Sequence, residues 1–317
     1  MNYHLPMQPR KIAAIDIGSN SIKLAVAEAS GDFLNFVFRE RERIRMGDTL
    51  REKFLSPETI EKSAAAVQTF RAIAESFQAE TIVAVATASA REAINSGDFV
   101  GEIERLTGVR VKVLAAIEEA RLIGLAARHY FRAASGALLN VDIGGGSTEL
   151  SLMKTGAPAK LFSMPLGALR LTGKFLAANP PGAKEIESVR AEIALNLEKP
   201  SEELRGESWQ VTSGTSGTIL KFELLLNPEN GEIRFAELVE LNRKLAKMTV
   251  AERARLPNIS EKRAETIVAG GQILEGIMRA LKIESLRVCE YALREGVIID
   301  FLKSNPPAAL KSRIVWK

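Results

Sequence analysis

The sequence predicts an α/β fold built from two related domains. Three observations carry that expectation. Apolar strands alternate with amphipathic helices along the chain, one strand–turn–strand pattern occurs twice, and 317 residues exceed one ordinary core.

Taken in order, IAAIDI (12–17) and IKLAVAE (22–28) read as strands around a glycine-containing turn, and FLNFVFRERERIRMG continues in strand character. RERER (39–43) alternates charge and reads as a solvated face. Ser56-Pro57 opens a helix, with serine at the N-cap and proline at the first helical position. Its apolar residues Ile60, Ala64, Val67, Ile73 and Phe77 recur at helical spacing. TIVAVAT (81–87) is a buried strand, followed by two short helices, the second ending at Gly108. VRVKVL is a strand and AAIEEARLIGLAARHYF a helix. The pattern restarts at ALLNVDIGGGSTELSLMK (137–154). Strands at 160–165, 208–213 and 285–291 then interleave with helices, the longest expected over 260–282 with Ser260 as N-cap. NPPGAKE (179–185) is a turn and helix start, and Phe70 and Met278 sit at core spacing.

Composition excludes several classes. An apolar share of 46% with 26% charged residues is that of a globular protein, not of a disordered or collagen-like chain. No apolar run reaches the roughly 18–20 residues that cross a bilayer, so no membrane partner is expected. The start, MNYHLPMQPRK, lacks a secretory apolar core and reads as a floppy tail. Cys289 is the only cysteine and His4 and His129 the only histidines. A zinc site or Cys/His nucleophile cannot be assembled from that set, Cys289 reads as a core thiol, and the cytoplasm is the default compartment. A net charge of +4 favours an anionic ligand only mildly. No basic run interleaved with aromatics points to DNA or RNA.

The repeat carries the chemistry. AIDIGSNSIKLAVAE (14–28) and NVDIGGGSTELSLMK (140–154) align Asp16 with Asp142, Gly18 with Gly144, Ser21 with Ser147 and Leu24 with Leu150. GGGST lacks the Walker lysine and precedes a strand, so a helix dipole cannot explain anion binding there. A nest of backbone N–H groups can, since glycine allows close approach to a ligand. Gly144, Gly145 and Gly146 are the candidate amide donors, with Ser147 and Thr148 adding hydroxyls. Asp142 and Glu149 flank the turn, and carboxylates beside a phosphate call for a cation, with Mg²⁺ or another divalent ion fitting oxygen ligands. The first turn offers Gly18, Ser19, Asn20 and Ser21, with Lys23 at the position of Glu149. Asp16 is a second acid of the same kind, or only shapes its turn.

Two such turns facing each other across a cleft resemble the actin/Hsp70/sugar-kinase superfamily, in which duplicated ribonuclease-H-like domains hold a phosphate chain. The chain more closely resembles the exopolyphosphatase/guanosine pentaphosphate phosphohydrolase (Ppx/GppA) family. DIGSNSIKL (16–24), RMGD (45–48), ATASAREA (86–93), EEARL (118–122), DIGGGSTEL (142–150), MPLGALRLT (164–172), TSGTSGTI (212–219) and LREG (293–296) carry that resemblance. Ala115-Ala116-Ile117 departs from the Ser-Gly that often precedes the glutamate pair, and 212–219 carries extra Ser and Thr.

The resemblance implies a Mg²⁺-dependent phosphoanhydride hydrolase of the short two-domain form, without further C-terminal helical domains. The domains are expected at 1–133 and 134–317, with a hinge near 132–137 and the last helix packing back on the first domain. The substrate is inorganic polyphosphate, or alternatively the 5′-phosphate of guanosine pentaphosphate (pppGpp). An ATP-dependent small-molecule kinase and a non-catalytic (p)ppGpp or polyphosphate sensor are further alternatives. A homodimer is also open. Neighbouring helical residues lie about 100° apart, so Glu118 and Glu119 cannot both face one site. The family pattern points to Glu119 as the water-activating base, leaving Glu118 outward near Arg121. Asp142 either shares that role or holds the cation with Glu149 and Asp16. Arg91 is a candidate phosphate ligand, since its five donors suit an oxyanion, and Arg45 and Arg170 are weaker ones. The SGTSGT turn (213–218) either lines the site or is a plain helix cap.

Overall fold

A computed structural model of the chain describes residues 9–30, 33–48, 53–132, 136–228 and 231–306. The expected tail at 1–8, with His4, lies outside the described residues, as does part of the expected hinge (133–135).

The chain divides into two compact units, 1–115 with 293–317, and 116–292. The boundary therefore precedes helix 116–130, whereas the sequence placed it after that helix, at 133/134. The reason is packing: this helix lies on the strands of the second unit, and the C-terminal helix lies on those of the first.

In the first unit, β1 (Arg10–Ile17), β2 (Ile22–Ser30) and β3 (Phe33–Glu42) form an antiparallel meander. β4 (Thr81–Ala86) and β5 (Val111–Val113) add in parallel, giving the order β3-β2-β1-β4-β5. Helix α1 (Pro57–Ser76) starts as expected, with Ser56 accepting from the Thr59 amide and Pro57 in the first turn. It buries Ala64, Val67, Phe70 and Ala74, while Ile60, Ile73 and Phe77 pack at the margin of the core. Helices α2 (Ala88–Glu92) and α3 (Ser96–Thr107) follow, and Gly108 ends α3 in the left-handed conformation that glycine adopts freely.

The second unit repeats this plan. Helix α4 (Ala116–Tyr130) precedes the meander β6 (Leu138–Ile143), β7 (Thr148–Met153) and β8 (Lys160–Met164). Helices α5 (Ala168–Phe175) and α6 (Ala183–Glu203) lead to β9 (Val211–Thr215) and α7 (Ser216–Leu226). Then come β10 (Glu232–Arg234), α8 (Phe235–Lys247), α9 (Val250–Ala254), α10 (Glu261–Ala280) and β11 (Ser285–Val288). Helix α11 (Leu293–Ser304) returns to β1 and β2 of the first unit. The second sheet runs β10-β11-β9-β6-β7-β8, so β8-β7-β6-β9-β11 reproduces the first sheet and β10 is added at the edge. Helix α6, with 21 residues, is longer than the 20-residue α10 that was expected to be longest. Ser260 sits at the N-cap of α10 without a side-chain capping bond.

Each unit has its own apolar core, Cys289 is buried, and among the described residues no helix is long and apolar enough to cross a membrane. Close approach sets α4 against β7. A Cβ on Gly124 would stand 2.7 Å from the Ser151 Cβ, and the Ser151 hydroxyl donates to the Ala120 carbonyl at 2.6 Å. By contrast, a Cβ on Gly101 of α3 would meet open space. Gly101→Ala is expected to stabilise by about 0.5–1 kcal/mol, and Gly124→Ala to destabilise by about 1–3 kcal/mol. Urea unfolding of the two variants measures this, and shifts of the same sign would contradict the packing of α4.

Candidate active site

The repeated turns close in the same way. Gly18 N–H donates to the Ser21 carbonyl at 3.1 Å, and Gly144 N–H to the Ser147 carbonyl at 2.9 Å. Both amides are thereby consumed in the turn, so these two glycines shape it and are not amide donors to a ligand. Strand register then distinguishes the copies. Asp16 lies opposite Lys23, whereas Asp142 lies opposite Glu149. In the first copy, Lys23 Nζ reaches Asp16 Oδ2 at 3.1 Å and meets its charge. In the second copy, the equivalent position adds another acid.

The second turn is held from behind. The N-cap of α5 is Gly167, which has no side chain to cap the helix. The first amides of α5 instead donate to the turn: Ala168 to the Gly144 carbonyl at 3.0 Å, and Leu169 and Arg170 to that of Gly145 at 3.0 and 3.1 Å. Arg170 Nε donates to the Gly146 carbonyl at 2.8 Å. The guanidinium expected as a weak phosphate ligand thus braces the turn. A Cβ on Gly167 would come within 2.1 Å of the Gly145 carbonyl oxygen, so only glycine allows this approach. With the carbonyls engaged by α5, the amides of Gly145, Gly146 and Ser147 have no backbone acceptor among the described residues. Of the expected hydroxyl donors, Thr148 is committed inside the chain. Thr148 Oγ1 donates to the Leu166 carbonyl, and the Ser147 hydroxyl contributes to lowering the pKa of Glu149.

Glu119, Asp142 and Glu149 are all buried. Glu119 comes from the first turn of α4, where a carboxylate complements the helix dipole. Glu118 turns aside and forms a two-bond fork with Arg121 at 2.7 and 2.8 Å. Burial holds the Glu149 carboxyl well above the usual carboxylate range, reinforced by the negative charges of Glu119 and Asp142. Hydrogen bonds from Ser147 and Ser163 oppose the shift, the Ser163 hydroxyl at 2.8 Å. Asp142 is oriented by a chain that joins β6 to β9. Ser213 Oγ donates to Asn140 Oδ1 at 2.8 Å, Asn140 Nδ2 to Thr215 Oγ1 at 3.2 Å, and Thr215 Oγ1 to Asp142 Oδ2.

Reading the sequence missed Ser163, Asn140, Gly167 and the link from Thr215 to Asp142. One usable signal was the pair Asn140 and Asp142, two polar residues on one face of an otherwise apolar strand.

Among the described residues, no three His, Cys, Asp or Glu side chains form a ready metal centre. The trio fits a cation bound through one or two carboxylates, with water and substrate oxygens completing the shell, as Mg²⁺ prefers. In the first unit, Arg91 Nη1 donates to the Leu114 carbonyl at 2.8 Å, and Ser19 and Ser21 are buried at their turn.

A glycine turn with open amides beside buried acids suits hydrolysis of a phosphoanhydride. The description Ppx/GppA phosphatase family matches residues 25–305. The chain belongs to that family. It is a phosphoanhydride hydrolase with a duplicated α/β fold. Exopolyphosphatase 1 of Mycobacterium leprae is 34% identical over 306 residues, covering 93% of this chain and 90% of the relative. Exopolyphosphatase 1 of Mycobacterium tuberculosis is 33% identical, at 93% and 89% coverage. The crystal structure of the Aquifex aeolicus Ppx/GppA family member superposes with a TM-score of 0.80 at 26% identity, covering 94% of this chain and 100% of that one.

An acid with a raised folded pKa binds its proton more tightly folded than unfolded. That stabilisation is complete below the ordinary value of 4.5 and is lost as pH rises through the folded pKa. Without divalent cations, the protein should therefore lose stability as pH rises from 4.5 through the raised pKa of Glu149. Glu149→Gln should flatten this loss and raise Tm at neutral pH by about 1–2 °C, roughly 1 kcal/mol for a chain of this size. Parallel Tm–pH profiles for parent and variant would contradict the assignment.

Proposed function

We propose that this chain is an exopolyphosphatase that hydrolyses the terminal phosphoryl group of inorganic polyphosphate and releases orthophosphate. The observation that carries this reading is the junction of the 144–148 turn with Glu119, Asp142 and Glu149 inside one unit. Relatives named Exopolyphosphatase 1 support the choice of polyphosphate over pppGpp. Membership of a phosphatase family favours hydrolysis over the kinase and sensor alternatives.

In this reading, the amides of Gly145, Gly146 and Ser147 take oxygens of the terminal phosphoryl group. Fixed donors of this kind contribute most where charge spreads over the equatorial oxygens. Glu119 accepts a proton from the attacking water. The water oxygen bonds to phosphorus, the bridging P–O bond breaks, and the shortened chain leaves with the bridging oxygen. Ser151, through the Ala120 carbonyl, fixes the helical turn that carries Glu119. Asp142, oriented by Thr215, and Glu149, held by Ser163, would be the ligands of Mg²⁺ or another divalent cation. When bound, that ion neutralises the repulsion between these carboxylates and the phosphate. Asp16, whose charge Lys23 already meets, shapes the first turn in this reading and leaves the cation to Asp142 and Glu149. Arg91 and the turn of Ser19, Asn20 and Ser21 bind phosphate oxygens in the first unit.

Phosphate release from polyphosphate, pppGpp and ATP, with and without Mg²⁺, tests the assignment. Polyphosphate is expected to give the highest kcat/KM. Glu119→Gln should lower phosphate release by about 10²–10⁴-fold, the usual contribution of a general base, without lowering Tm. Undiminished turnover in that variant would remove Glu119 as the base.

A further inference from the structure

From the sequence alone, the SGTSGT run (213–218) is a site-lining turn or a plain helix cap. β9 ends at Thr215 and α7 begins at Ser216, so the chain passes from strand to helix with no residue between. Ser216 makes that turn at a φ of 95°, a conformation that glycine adopts freely and that strains a residue with a side chain. Glycines stand close by, at 214 and 217, yet the strained position itself carries serine.

The side chain accounts for that choice. Ser216 Oγ accepts from the amides of Thr218 at 3.2 Å and Ile219 at 3.4 Å, as a capping residue does at a helix start. A serine on a sharp strand-to-helix turn is also the geometry of a nucleophile elbow, but that role exposes the hydroxyl to a substrate. Here the oxygen is turned back on its own helix. The first turn of α7 is held by α10 as well. Arg263 Nη1 donates to Thr218 Oγ1 at 3.1 Å, and a Cβ on Gly270 would stand 2.6 Å from Thr218 Cγ2. A glycine corner would be free of strain and could turn in more than one way. Serine, tied to two amides, holds one.

Strand register places Thr215 beside Asp142, and both are buried. Asn140 Nδ2 donates to Thr215 Oγ1 at 3.2 Å, which leaves the single hydroxyl proton for Asp142 Oδ2, nearer than the Val141 carbonyl at 3.4 Å. Thr215 can orient Asp142 only while its own backbone is fixed, and the residue that follows it is Ser216. We propose that Ser216 is a positioning residue: its strained, capped corner fixes Thr215 and, through it, keeps Asp142 set to ligate a divalent cation. This rests on the reading of Asp142 as a cation ligand.

Half-saturating Mg²⁺, read from Tm without substrate, is compared between the full chain and its Ser216→Gly, Thr215→Val and Ser56→Gly variants. Ser216→Gly removes the cap and the strain together, so its metal-free Tm should move little. Its half-saturating Mg²⁺ should nevertheless rise at least about tenfold, as when a group behind a metal ligand is removed. Thr215→Val should show a similar rise, and the double variant no more than the larger single effect, since both act through one hydroxyl. Ser56→Gly removes a matching cap from α1 and should leave the Mg²⁺ response alone. An unchanged Mg²⁺ response in Ser216→Gly, or additive losses in the double variant, would overturn the proposal. If the parent Tm is indifferent to Mg²⁺, the cation reading fails, and urea unfolding of Ser216→Gly, Asp142→Asn and the two combined still decides the positioning. Coupled midpoint shifts support it, and additive shifts overturn it.

Discussion

Three carboxylates share one dry corner of the second sheet, and the rest of the site is arranged around that repulsion. Register sets Asp142 and Glu149 opposite each other at the end of β6 and β7. Helix α4, drawn against β7 at Gly124, brings in Glu119. Such a group is costly to bury unless a proton or a cation relieves it. Serine and threonine hydroxyls orient two of the acids, with Ser163 on Glu149 and Thr215 on Asp142. Helix α5 secures the adjoining turn by its carbonyls, and the amides of Gly145, Gly146 and Ser147 have no backbone acceptor among the described residues. Stability is given up where these acids are buried together.

Duplication explains how one frame serves two ends. Both sheets build the same meander and close the same turn with one glycine amide. A single exchange of charge separates them. Lys23 neutralises Asp16, whereas Glu149 adds to Asp142. The first copy is electrostatically settled, and the second gathers negative charge. Exposed arginines on β3 also suit an edge strand, which charge protects from pairing with other chains.

Much of this was legible in the residues. The repeated Asp-Ile-Gly announced two related units, and hydrophobic periodicity located most of the strands and helices. Helical geometry separated Glu118 from Glu119, and the family pattern turned Glu118 outward towards Arg121, with which it forms the fork. What escaped was set by contacts distant in sequence. Thr215 meets Asp142 from another strand, and Gly167 is required only because α5 abuts the Gly145 carbonyl. The unit boundary was misplaced because α4 follows the last strand of the first unit, yet packs on β6 to β8 of the second. The expectation that every glycine amide would serve the ligand failed because two of them close the turns.

Thermal denaturation against Mg²⁺ concentration at neutral pH, without substrate, tests the central claim most directly. A ligand that binds only the folded state raises Tm as its concentration exceeds Kd. The parent should show a progressive rise, and Asp142→Asn, which keeps the shape of the side chain and removes its charge, should show none. A parent Tm indifferent to Mg²⁺, or an equal rise in both proteins, would contradict the role assigned to the buried acids.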